Sequence, residues 1–73
     1  ALAGRDTEAE ALYGRLLEDN PQSLPVLLNL SEVKAALGKK QEALSLARSA
    51  TRLAPDSEAA RQCLKRREQE NRP

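Results

Sequence analysis

Two proline-closed stretches at a fixed offset constrain this chain more than any other feature. Asn20-Pro21 and Ala54-Pro55 each end a run of helix-forming residues, and sliding the sequence by 34 superposes the two prolines. The same shift pairs Ala1 with Ala35, Gly4 with Gly38, Glu8 with Glu42, Ala9 with Ala43, Leu12 with Leu46, Ser23 with Ser57 and Leu30 with Leu64, eight identities in 39 pairs. A chain this rich in Ala, Leu and Glu gives about three by chance. The recurring Gly and Pro carry the most weight, because they stand where helices must stop. A period of this length points to stacked supersecondary units rather than a closed globule.

The units are helical. Apart from Tyr13 the apolar residues are Leu and Ala with Val26, Val33 and Cys63; Ile, Phe, Trp and Met are absent. Leu and Ala lose little side-chain entropy in a helix, whereas strands draw on β-branched and aromatic residues. The pattern predicts an all-α chain of four helices. The first spans about Thr7 to Glu18, with Thr7 and Glu10 as a capping box. The second begins near Ser23, takes Pro25 in its first turn and stops before Gly38. Its stripe is Leu27, Leu30, Val33 and Leu37. The third runs from Lys40 to Leu53 on Ala43, Leu46, Ala47, Ala50 and Leu53, and Pro55 ends it. The fourth starts at Asp56 or Ser57 and carries Ala59, Ala60, Cys63 and Leu64. From Lys65 onward it is polar on every side, which predicts a solvated end.

Composition excludes several kinds of chemistry. Twelve basic and eleven acidic residues leave a net charge of +1, so no overall field draws nucleic acid or an anionic membrane. The absence of His and the single cysteine, Cys63, leave no soft metal site and no base for a nucleophile. No cofactor and no catalytic residue is indicated. No apolar run approaches the ~20 residues of a membrane helix, so membrane insertion is not expected. The first residue is Ala1, not Met, which reads as an excerpt of a longer protein. A core of 73 residues without staples supplies about 3–5 kcal/mol at most. Such a piece is marginal alone and gains from neighbours.

The unit Leu24 to Ser57 resembles the tetratricopeptide repeat, or TPR. Leu27 stands at the bulky position, Leu30 at the Leu position, Ser31 at the small one and Gly38 at the turn. Glu42-Ala43 open the second helix, Ala47 and Ala50 take its packing places, and Pro55 closes it. Gly4, Glu8, Ala9, Tyr13, Leu16 and Pro21 repeat the second half of that pattern. The resemblance implies antiparallel helix–turn–helix repeats forming a superhelix fragment. Residues 4–22 are then the second half of one repeat, 24–57 a complete repeat and 58–72 a capping helix. Two positions depart from the family. Lys34 replaces an aromatic and can lay its stem along the core with its charge in water. Ala47 replaces a large ring, and both imply a lean core. Ser31, Ala43, Ala47 and Ala50 are small where two helices would cross, with Leu27, Leu30 and Leu46 filling the gaps.

The resemblance also implies a role: binding a peptide or protein partner in a helical groove, beside neighbouring repeats of a parent scaffold or adaptor. The second helix would present Leu28, Asn29, Glu32, Ala35 and Ala36, and the fourth Ala59, Gln62, Cys63 and Arg66. The set expected to carry binding is Leu28, Asn29, Glu32, Gln62 and Arg66. A carboxylate clamp of the kind that captures chaperone tails is matched here only at Asn29, because Ala59 and Cys63 hold the places of its cations. Two other classes are an RNA-binding helical repeat and the regulatory or oligomerisation arm of an enzyme. The first is disfavoured by the repeat spacing and balanced charge. Lys65-Arg66-Arg67 reads as a solvated helix end whose cations suit the C-terminal dipole. An intracellular, cytoplasmic setting is the expected one.

Overall fold

The computed structural model describes residues 2–72, with side chains from residue 5 onward. Four helices follow one another among these residues: α1 (Leu2–Asp19), α2 (Leu24–Ala36), α3 (Lys40–Leu53) and α4 (Glu58–Glu70). Each packs on the next, and α2 also meets α4. The result is a slab of 35 × 34 × 16 Å.

The period of the sequence reappears in the backbone hydrogen bonds. Asn20 N donates to Leu16 O at 2.9 Å, and Ala54 N to Ala50 O at 2.9 Å. Ser23 N donates to Asn20 O at 3.2 Å, and Ser57 N to Ala54 O at 3.0 Å. Leu27 N and Arg61 N reach Ser23 O and Ser57 O, both at 3.0 Å. The α1–α2 and α3–α4 connections are therefore one turn used twice. Ser57 also accepts from Ala60 N through its side chain, a cap that Ser23 does not make. Between α2 and α3 the reversal is tighter. Gly38 has φ +81°, its N–H reaches Ala35 O at 3.0 Å, and Lys39 N reaches Lys34 O at 2.9 Å. This pair of bonds satisfies the last α2 carbonyls and requires a left-handed residue at Gly38.

Small residues let α2 and α3 approach closely. Ser31, Ala43, Ala47 and Ala50 are completely buried, and Leu27 and Leu30 fill the space around them. Ser31 Oγ donates to Ala43 O at 2.8 Å, so the crossing is bonded as well as packed. Leu46 is only half-buried beside the Leu27–Ala50–Ala60 cluster.

Five expectations need correction. The first helix does not begin at a Thr7 cap: it runs through Gly4 back to Leu2. One internal glycine costs a helix only about 1 kcal/mol, too little to force a stop without a proline. Glu10 does not reach back to a cap, because its Oε2 accepts from Lys34 at 2.6 Å and from Lys39 at 2.7 Å. Lys34 does not leave its charge in water; its ammonium also meets Glu42 at 2.9 Å, and the side chain is 16% exposed. On α3 the buried leucine is Leu44, while Leu53 is 39% exposed. That helix is covered by both α2 and α4, which widens its buried arc. Finally, the far end of α4 is not solvated all round, because Arg67 is 3% exposed. Its Nη1 donates to Ser31 O at 3.4 Å and its Nη2 to Glu70 Oε2 at 3.0 Å. Asn71 Nδ2 closes that end by donating to Arg67 O at 2.9 Å and Lys40 O at 3.3 Å.

The charges around Glu10 act on one another. Hydrogen bonds from Lys34 and then Lys39 hold the Glu10 carboxyl below its ordinary value, against a smaller opposing effect of burial. Lys34 is held above its ordinary value by Glu10 first and Glu42 second.

Candidate partner groove

A concavity of about 280 Å³ opens between α2 and α4, lined by Leu28, Asn29, Glu32, Ala59, Gln62, Cys63 and Arg66. The five residues singled out in the sequence all lie on it. Leu28 and Gln62, Asn29 and Cys63, and Glu32 and Arg66 are each one repeat period apart, so the groove is built from equivalent positions on successive units. Ala35 and Ala36, expected on the same wall, do not line it.

The groove has an apolar floor and a charged end. Cys63 is buried in the floor and its thiol donates to Ser31 Oγ at 3.6 Å. Beneath it, Arg67 supports the Ser31 carbonyl. Arg67 Nε also lies 2.9 Å from Glu70 Oε1, a charge contact without hydrogen-bond alignment. At the open end, Arg66 Nη1 donates to Glu32 Oε1 at 2.9 Å, joining the two walls. Both side chains are more than half exposed, so the pair adds little to stability. Its guanidinium keeps further donors directed at solvent. Gln62 is drawn to Glu58 Oε1 at 3.1 Å on its own helix.

The profile of the tetratricopeptide repeat family matches residues 2–67. The chain belongs to the tetratricopeptide repeat family. No curated protein and no solved structure matches it significantly. TPR repeats generally mediate protein–protein interaction and are typically non-catalytic, and the all-α architecture of this chain is theirs. No helix among the described residues is long and apolar enough to cross a membrane.

Two residues that shape this TPR groove were not legible as such. Arg67 continues the Ala60–Cys63 stripe by one more helical turn, and Glu70 follows at the spacing of a helical ion pair. That spacing is the signal that a buried cation was possible. Ser31 was legible as small, but nothing in the sequence marks its hydroxyl as the bond between α2 and α3.

Proposed function

We propose that this TPR segment is a scaffold or adaptor piece that binds a peptide or protein segment in the α2–α4 concavity. Leu28, Asn29, Glu32, Gln62 and Arg66 are the contact residues in this reading. The observation that carries it is their convergence, from two helices, on one concave surface with an apolar floor and a polar rim. Clefts with a few placed polar groups above apolar walls are where extended ligands gain both burial and orientation. Residues 4–22 serve here as the second half of a repeat, 24–57 as a complete repeat and 58–72 as a capping helix.

The test uses peptides selected on the chain from a displayed random library. Glu32→Lys and Arg66→Glu each break the ion pair across the groove, and the double exchange restores it with the charges swapped. Calorimetry should show affinity falling about tenfold or more in the single variants and in the double exchange. The helical circular dichroism of the double exchange should match wild type. Wild-type affinity in the double exchange, and again in Gln62→Ala, would refute the groove as the site.

A further inference from the structure

Among the described residues Arg67 is the most deeply buried charged side chain, and it lies beneath the groove. It is 3% exposed, whereas the residue one period earlier, on α2, is Val33. A guanidinium taken out of water is costly, and an apolar residue of like volume would serve packing as well or better. The counter-charge comes from Glu70 on the same helix, whose Oε2 accepts from Nη2 at 3.0 Å. A pair that closes within α4 requires no bond to α2. Nevertheless Nη1 crosses to α2 and donates to Ser31 O at 3.4 Å.

Among the described residues three hydrogen bonds join α2 to α4, and their surroundings set what each contributes. Glu32 and Arg66 meet at the open end of the groove, where both are exposed and water weakens the pair. Cys63 donates to Ser31 Oγ at 3.6 Å through a thiol, which is a weak donor. The Arg67 bond alone is both charged and buried; it is long, but burial keeps water from competing for it. It ends on a backbone carbonyl, so it holds the α2 helix itself and not a side chain that can turn. Ser31 is held in turn to α3, its Oγ donating to Ala43 O at 2.8 Å. The apolar cluster of Leu27, Ala50 and Ala60 joins the helices near the start of α4, about two turns before Arg67.

We propose that Arg67 is a positioning residue for the groove: it holds α4 at a set distance from the α2 backbone. It thereby fixes the spacing between Asn29 and Glu32 on one wall and Gln62 and Arg66 on the other. This rests on the groove reading above and adds to it a residue that no ligand touches. Arg66 and Arg67 are neighbours in sequence with different tasks, the first facing the ligand and the second locking the helix that carries it. A groove held at one spacing loses less binding energy to the ordering of its walls. Without the guanidinium, α4 stays packed on α3 but gains freedom to shift against α2. The charge at Arg67 is then nearly neutral for stability and matters for binding.

The test is Arg67→Met combined with Glu70→Gln in the whole chain, which removes both charges and keeps the volume. The urea midpoint and the helical circular dichroism should stay close to wild type. Affinity for the peptide selected on the wild-type chain should nonetheless fall about tenfold by calorimetry. In the free variant, relaxation dispersion should show microsecond-to-millisecond exchange at the amides of Asn29, Glu32, Gln62 and Arg66 that wild type lacks. A residue that only stabilises the fold would move the midpoint and neither of these. Arg67→Leu with Glu70→Gln gives the same comparison if the first variant loses helicity. Wild-type affinity in the variant, where Gln62→Ala still weakens binding, would overturn the positioning role and leave the groove standing. Wild-type affinity in Gln62→Ala and in the Glu32–Arg66 double exchange as well would overturn both. Groove amides as quiet in the free variant as in wild type would also overturn the positioning role.

Discussion

Gly38 and Arg67 show how single residues hold this small fold. Gly38 occupies a left-handed conformation with open space around its missing Cβ, so the strain of a side chain there is purely backbone. Gly38→Ala should therefore cost about 1–2 kcal/mol without changing the packing, read as a lower urea midpoint with an unchanged slope. Arg67 is a different case. Its stem is buried with the core, its guanidinium is matched by Glu70, and it caps the Ser31 carbonyl. Arg67→Met combined with Glu70→Gln keeps the volume and removes both charges, and stability should stay within about 1 kcal/mol of wild type. Arg67→Ala removes stem and bonds together and should cost about 3 kcal/mol. Equal losses in the two variants would show that charge, not packing, is what Arg67 contributes.

At the level of the helices, charge ties α1 to its neighbours beside the apolar packing of Leu17. Its Glu10 is shared by Lys34 on α2 and by Lys39 in the α2–α3 turn, and Lys34 extends the cluster to Glu42 on α3. Because the Glu10 value is lowered on folding, its contribution is fully present above the unfolded-chain value of about 4.3 and is lost as pH falls through the lower folded value. Because the Lys34 value is raised, its contribution is present below about 10.4 and is lost as pH rises through the higher folded value. Protection of the α1 amides, measured against intrinsic exchange at the same pH, should fall below about pH 4 while the α2–α3 amides stay protected. Glu10→Gln should show that lower α1 protection already at neutral pH.

The elements also show what the sequence made legible. Pro25, Gly38 and Pro55 act on the backbone locally, and so the α2 and α3 limits could be read from them closely. Where no such residue stands, as at the start of α1, the Thr7–Glu10 spacing suggested a cap, but the helix runs back to Leu2 and Glu10 pairs with Lys34 and Lys39. The residues expected on the groove came from the resemblance to the family, and those that line the concavity stand at repeat-equivalent positions on α2 and α4. The support of the groove was not legible. Burial of a cation at Arg67 and the hydroxyl bond of Ser31 depend on how closely the helices approach, and a pattern of polar and apolar letters does not contain that distance.

At the scale of the whole molecule, a slab 16 Å thick cannot bury both of its faces. TPR units meet this by stacking, which leaves one surface as a continuous groove. In this chain the groove is bounded by α2 and α4, whereas Leu12 and Leu16 are exposed on α1 and do not line it. Binding in the groove should therefore leave those residues undisturbed. The most direct measurement is nuclear magnetic resonance of the labelled chain titrated with a peptide selected against it. The account predicts shift changes centred on Leu28, Asn29, Glu32, Gln62 and Arg66, with Leu12, Leu16 and Arg48 unmoved. Changes centred on α1 or on the outer side of α3, with the five groove residues still, would contradict it.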